Sequence, residues 1–457
     1  MADNDVTPAH RSADPAASVL PWLRRAVPPA AVIIMYLLIG IVAFWPVFPG
    51  VSQHLFGVEG DYTQSVWYLA WIPHALGHGL NPFFSNAMYV PTGVNLAFNT
   101  SSPLLGLVAA PFAAAFSPVV SANLLMLLAM PVSAAAAFVV LRKWAVWMPA
   151  AAMGGFAYGF SPYMVGQSLA HVDLVFVPIP PFIALTVVSI LQRRGSPRRL
   201  GIQLGLLVEA QYLISPEVLT MVAFFTVAAL ACLAIGDCAH LREMASALAV
   251  PAGIAVCVAI VLLACPLWMQ VAGPQLTVGR RWPINNPFHT DLLSFVAPGV
   301  LQKVSLGLRS LWTRVDVSIG AAEAGGYIGI PVLIVTAILA WRSRRSPRTQ
   351  LTVLLLCAAI LSLGPYLAVN GKQTRFPLPF LLWDHIPQLY NILLSRICFE
   401  VGAFLAAVIA FGLDDMHRSA AQADRRGPAR GWWAGGRGAY VFTGVTLAVL
   451  VVTQLPQ

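Results

Sequence analysis

Ala122-Asn123-Leu124-Leu125-Met126-Leu127-Leu128-Ala129-Met130-Pro131-Val132-Ser133-Ala134-Ala135-Ala136-Ala137-Phe138-Val139-Val140-Leu141 carries no charge from end to end. A run of about 20 apolar residues is the length an α-helix needs to cross the hydrocarbon layer. Inside that layer the backbone must satisfy its own hydrogen bonds, which leaves helices or a closed barrel. The run is continuous, with no alternation of period two, so it reads as a helix. Val27 to Trp45, Ala245 to Leu267 and Ala403 to Leu413 repeat the pattern. The whole chain agrees: 457 residues are 58% hydrophobic and 10% charged, where a soluble domain carries about 25% charged residues. The fold class is therefore all-α, a polytopic transmembrane helical bundle.

The net charge of +9 would suit nucleic acid if it were gathered on one soluble face. It is distributed instead in short tracts between apolar runs: Arg24-Arg25, Arg142-Lys143, Arg193-Arg194, Arg198-Arg199, Arg342 to Arg348 and Arg425 to Arg430. That is the positive-inside pattern, so no nucleic-acid partner is expected. One threading puts all these tracts inside, with the N-terminus cytoplasmic in a cell membrane and about 11 spans. It divides the chain into a cytoplasmic tail (1–28), a transmembrane module (29–413), a flexible cytoplasmic linker (414–437) and a final span (438–457). Three loops lie outside, near 49–118, 269–325 and 369–390. Residues 103–116, apolar but short and interrupted by Pro103 and Pro111, are expected to be interfacial or re-entrant. The six cysteines fall in or beside apolar segments without metal-ligand spacing and read as small buried hydrophobes.

The first outer loop is dense in chemistry. After Gly60-Asp61, the residues Gln64, Trp67, Trp71, His74 and His78 recur at helical spacing, which predicts a helix lying at the surface with these side chains on one face. Its tryptophans suit interfacial anchoring or substrate stacking. Asp61 has two readings. As a helix N-cap it would be completed by Gln64 in a capping-box-like pattern. As a site carboxylate it would act as a general base or bind a divalent cation, Mg or Mn.

With these residues in hand, the chain resembles the GT-C superfamily of integral membrane glycosyltransferases, in particular its bacterial branch. The similarity rests on span 1 followed by a long outer loop with an acid near its start (Gly60-Asp61). It rests also on Gln167-Ser168-Leu169-Ala170-His171-Val172-Asp173, on Glu323-Ala324-Gly325-Gly326-Tyr327-Ile328-Gly329, and on Ser395-Arg396-Ile397-Cys398-Phe399-Glu400. It covers about residues 29–413. The resemblance implies transfer of a sugar from a polyprenyl-phosphate carrier to an acceptor outside the cytoplasm. It also implies that Asp61 is the catalytic base or a metal ligand. Many members carry a C-terminal soluble domain that helps to bind the acceptor, and this sequence ends on an apolar run. The expected acceptor is therefore a lipid or small glycan, or else the chain is incomplete or has lost activity.

The threading places Asp61, His74, His171, Asp173, Glu217, Arg280, Arg281, Glu323 and Arg396 on the outer side, although they are far apart in sequence. His171 either joins Asp61 in a site or caps a helix. Glu217, and Glu209 deeper in its span, should face a cavity or a partner, because a carboxylate facing lipid is costly. Arg280, Arg281 and Arg396 run against the positive-inside bias. An Arg fork matches phosphate oxygens, so Arg396 either clamps a lipid phosphate or pairs with Glu400 four residues on. Arg280 and Arg281 either join it or contact lipid head groups. Acids and Arg converging on one cavity describe a site for a phosphate-bearing, metal-assisted ligand. Two other functions fit parts of this pattern. A transporter or flippase would place broken helices and polar sites near the midplane. An O-antigen-type polymer ligase would use Arg280, Arg281 and His289.

Overall fold

The computed structural model describes residues 15–58, 60–235, 238–276, 279, 288–299, 301–302, 320–346, 348–383, 385–386, 391–425 and 436–454. Among them the helices are α1 (Pro15–Phe44), α2 (Asp61–Gly77), α3 (Pro103–Ala115), α4 (Pro118–Leu141), α5 (Met148–Gly159), α6 (Pro162–Gln167), α7 (Val172–Val175), α8 (Ile179–Leu191), α9 (Pro197–Ile214), α10 (Pro216–Ala234), α11 (Cys238–Leu262), α12 (Ala264–Val271), α13 (Gly320–Glu323), α14 (Ile330–Ser343), α15 (Thr349–Ser362), α16 (Cys398–Arg425) and α17 (Gly436–Gln454). Six segments are long and apolar enough to cross a membrane: Pro29–Gly50, Pro118–Leu141, Val172–Leu191, Pro216–Ala234, Leu241–Leu262 and Leu394–Gln422. Shorter apolar helices accompany them at Pro103–Ala115, Ile330–Ser343, Thr349–Ser362 and Val441–Thr453. The chain is an all-α polytopic membrane protein.

The helices alternate in direction. α4, α8, α10, α14 and α16 start at one end of the bundle; α5, α9 and α15 run back to it. Arg142-Lys143, Arg193-Arg194, Arg198-Arg199 and Arg344-Arg345 therefore sit at the other end, away from the loops rich in functional side chains. Helix association in a membrane rests on close packing and small residues at the contact. α9 meets α11 this way: a Cβ at Gly205 would lie 2.7 Å from the Val258 Cβ and 2.9 Å from the Ala255 carbonyl oxygen. The core runs through α4, α5 and α16, where Ala134, Ala157, Ala406, Ile409 and Ala410 are closed from solvent.

Two expectations are refined here. α3 forms over Pro103–Ala115; at 1.5 Å per residue its 13 residues extend about 20 Å, short of the roughly 30 Å hydrocarbon layer. It packs on α2 and α4. The linker expected at 414–437 is helical as far as Arg425, because α16 continues without a break. Its polar residues are fixed: Asp414 accepts from the Trp147 backbone N–H at 2.8 Å, and Arg348 Nη1 donates to Asp415 at 2.6 Å. The connections between helices also contain two small antiparallel hairpins, Phe84–Ser85 with Val94–Asn95 (β1, β2) and Tyr366–Val369 with Lys372–Pro377 (β3, β4). Buried Asp291 holds the second hairpin's turn, accepting from the backbone N–H groups of Asn370 and Gly371 at 3.2 and 2.8 Å.

Candidate active site

The loop between α1 and α2 is held by Asn123, an amide buried in α4. Its Nδ2 donates to the carbonyls of Val51 and His54 at 2.9 and 2.8 Å. Its Oδ1 accepts from the Phe56 backbone N–H at 3.0 Å and from the Tyr62 hydroxyl at 3.1 Å. The same loop is pinned from the side, where Val58 N–H donates to the Leu169 carbonyl at 2.7 Å. Gly57 permits that approach: a Cβ there would fall 2.0 Å from the Leu169 oxygen. These contacts bring the start of α2 beside the turn that carries His171.

Gly60, with φ +100°, is the N-cap of α2, and Asp61 is the first helical residue. The capping-box reading is thereby corrected. No side chain caps the helix, and the Gln64 amide donates instead to the Tyr68 hydroxyl at 2.7 Å. The Asp61 carboxylate meets His171, with Oδ2 3.2 Å from Nε2. A carboxylate only accepts, so Nε2 carries the proton. The contact of Arg396 Nη2 with that nitrogen at 3.4 Å is then electrostatic and not a hydrogen bond. Asp61 is 65% exposed on its side chain and lines an open cleft of ≈ 950 Å³ together with Gln53, His54, Gln64 and Trp67.

Behind His171 lies Arg396, on the 3₁₀ turn Leu394–Ile397 that precedes α16. Its Nη2 and Nε grip Glu323 at 2.6 and 3.0 Å, and Nη1 donates to Glu217 at 2.6 Å. Glu323 also accepts from Gln167 Nε2 at 3.2 Å and from Ser395 Oγ at 3.1 Å. The pairing with Glu400 does not form: an i,i+4 contact needs one continuous α-helix, and the tighter 3₁₀ turn turns Arg396 away from that face. Nor does Arg396 present an open fork to a phosphate, because carboxylates take Nε and both terminal nitrogens. Asp173 completes the cluster, closed from solvent and accepting from Ser215 Oγ at 3.1 Å. Among the described residues the buried atoms Tyr163 Oη, Gln167 Oε1, His171 Nδ1, Gln211 Oε1 and Glu217 Oε1 have no hydrogen-bond partner. Buried polar groups are ordinarily paired, so this concentration of exceptions marks a region arranged for something besides stability.

The hydrogen bond from His171 holds the Asp61 carboxyl below the usual carboxylate range; desolvation opposes this, and the Arg396 charge adds to it. For Glu323 desolvation pushes upward, but the charge and hydrogen bonds of Arg396 outweigh it and the net shift is downward. A depressed carboxylate stabilises the fold above its unfolded pKa, and that contribution is lost as pH falls through the folded value. Thermal unfolding in detergent is therefore expected to show a stability gap between wild type and Glu323→Gln that is constant from about pH 7 to 5 and closes below about pH 4.5. A gap that widens on acidification would contradict the pairing.

Of the residues singled out in the sequence, Asp61, His171, Asp173, Glu217, Glu323 and Arg396 come together. His74 does not. It shares the stripe with Trp67, Trp71 and His78, whose ring centroids follow one another at 5.4, 5.7 and 4.2 Å, the first pair stacked and the other two tilted, but 13 residues along α2 displace it about 20 Å from Asp61. Trp71 is buried and donates to the Pro82 carbonyl at 3.1 Å, so it packs the loop and does not anchor it in lipid. Arg280 and Arg281 lie outside the described residues.

Residues 31–412 match the family "Domain of unknown function (DUF6311)". The chain belongs to that family. No curated protein matches this DUF6311 sequence. Among solved structures it is similar to the archaeal oligosaccharyltransferase AglB of Archaeoglobus fulgidus, in complex with an inhibitory peptide and a dolichol-phosphate: TM-score 0.51, 13% identity, 94% of this chain and 55% of that one. An apo form of an Archaeoglobus fulgidus oligosaccharyltransferase gives TM-score 0.48 at 14% identity, with 93% and 54% covered. The DUF6311 chain thus spans about half the length of these structures. At such identity the likeness is one of fold alone.

Sequence reasoning passed over Asn123, Tyr163, Gln167, Gln211, Ser215 and Ser395 as site residues. Gln167 and Ser395 sit in stretches already noted for the resemblance, and neutral amides and hydroxyls beside charged residues were the available signal. Nothing local marks Tyr163.

Proposed function

We propose that this chain is a membrane glycosyltransferase of the GT-C type, transferring a sugar from a polyprenyl-phosphate-linked donor to a glycan or lipid acceptor on the extracytoplasmic side of a bacterial cell membrane, with its N-terminus in the cytoplasm. The observation that carries the reading is the placement of Asp61. One carboxylate oxygen is oriented by His171, while the side chain faces an open cleft large enough for a saccharide. The fold likeness supports it, and the neighbour's dolichol-phosphate suggests the donor class.

In this scheme an acceptor hydroxyl in the cleft gives its proton to Asp61 as its oxygen bonds to the anomeric carbon. The bond from that carbon to the carrier phosphate oxygen breaks, and the electron pair stays on the phosphate. His171 fixes the orientation of Asp61. Arg280 and Arg281 are the candidates for the carrier phosphate and the surrounding lipid head groups. Held below the usual carboxylate range by the His171 hydrogen bond, Asp61 is ionised at neutral pH and is a weak base, so it takes the acceptor's proton only as the new bond to the anomeric carbon forms.

The test is transfer of radiolabelled sugar from a panel of polyprenyl-phosphate sugars in membranes. Wild type is expected to transfer from at least one donor, and well-expressed Asp61→Asn to lose about 100-fold or more, the contribution typical of a positioned base. Equal transfer by both proteins would remove Asp61 from the chemistry.

A further inference from the structure

The acid at the start of the first loop raised the expectation of a divalent cation. The donor set does not fit one. Glu323 gives both oxygens to Arg396, and Glu217 gives Oε2 to the same guanidinium. Asp61 Oδ2 is taken by His171, and Asp173 Oδ2 accepts from Ser215. Among the described residues no group of three or more His, Cys, Asp or Glu side chains converges to hold a metal ion. Four acids from four separate segments of the chain are nevertheless gathered around one point, and a fixed cation already stands there.

We propose that the Arg396 guanidinium is the resident cation of this site, occupying the electrostatic place of a divalent metal ion, so that the chain binds no metal there. The geometry fits such a role. A guanidinium remains charged at any physiological pH and offers a rigid planar fork to carboxylates. Glu323 is gripped through both oxygens, the geometry that favours Arg over a point charge. The grip is backed by Gln167 and Ser395 on Glu323 and by the Leu394–Ile397 turn beneath Arg396. The charge also reaches Asp61 across His171. The consequence for transfer rests on the transferase reading; the binding claim does not.

The test is Mn²⁺ binding to the purified full-length protein, read from loss of the free Mn²⁺ signal in electron paramagnetic resonance, with no substrate present. Wild type and Arg396→Lys are expected to bind no Mn²⁺ at submillimolar concentration. Arg396→Met removes the charge while keeping most of the bulk, and is expected to gain one Mn²⁺ per chain, at least about tenfold tighter than wild type. Adding Glu323→Gln to it should abolish the gain. Stoichiometric binding to wild type that is lost in Asp61→Asn would overturn the proposal, as would a folded Arg396→Met that binds none. If Arg396→Met does not fold, the wild-type and Asp61→Asn titrations decide the matter alone. Because no sugar donor enters, absence of transferase activity leaves the result intact.

Discussion

Arg396→Ala is expected to destabilise the protein by about 3–5 kcal/mol, the cost of breaking a buried charge pair by removing one partner. The reason lies in what remains. Glu323 is 7% exposed on its side chain and Glu217 19%, so two carboxylates lose the guanidinium that pairs with them in a setting that hydrates them poorly. A buried ion pair as a whole contributes little, since desolvation offsets much of its attraction. It follows that Arg396→Ala combined with Glu323→Ala should recover part of the loss. Thermal unfolding of detergent-solubilised protein checks both statements. A single variant with an unchanged midpoint would mean that water or lipid head groups already reach the cluster.

Asn123→Leu is expected to be the most damaging uncharged substitution near the site. The side chain is fully buried and makes four hydrogen bonds to the loop 51–62. Leucine fills a similar volume but leaves two carbonyls, one N–H and the Tyr62 hydroxyl without partners. Each buried group so orphaned costs about 1–3 kcal/mol. Relaxation of the loop toward solvent limits the sum, so about 3 kcal/mol or more is expected. The same relaxation displaces Asp61, which begins the helix that follows. Hydrogen exchange should therefore show lost protection over residues 51–62, together with a fall in transfer. Unchanged protection and unchanged transfer would show that the loop is positioned by something other than Asn123.

The contrast between Asn123 and Asp61 explains what the sequence disclosed. Asp61 stood out because a carboxylate after glycine, before a periodic aromatic stretch, is unusual on an apolar chain. Asn123 stood inside an apolar run, where one neutral amide has no local pattern to mark it; its significance depends on a loop 61 to 72 positions away. The bundle was legible because crossing a membrane imposes length and apolarity on each helix separately. The one-sided gathering of Asp61, His171, Asp173, Glu217, Glu323 and Arg396 followed from counting crossings. Their pairing did not. Arg396 and Glu400 have the spacing of an ion pair, yet the backbone at 394–397 is 3₁₀, and the partners come from α10 and α13 instead. His74 was grouped with Asp61 by side of the membrane, a criterion blind to the 20 Å or so that a helix of that length spans. The polar stretch after Leu413 read as a linker because charged residues at a span's end are ordinarily solvated. Here Arg348 and the Trp147 backbone engage Asp415 and Asp414 and keep the helix going.

Whether Asp61 and His171 act as one unit in sugar transfer is tested most directly by the rate of transfer in Asp61→Asn, His171→Phe and the double variant. Groups that work as a unit are strongly non-additive, so the double variant is expected to be about as slow as the slower single. If the two losses multiply, or if His171→Phe transfers as fast as wild type, the pairing between Nε2 and Oδ2 is structural and the two residues do not act together in transfer.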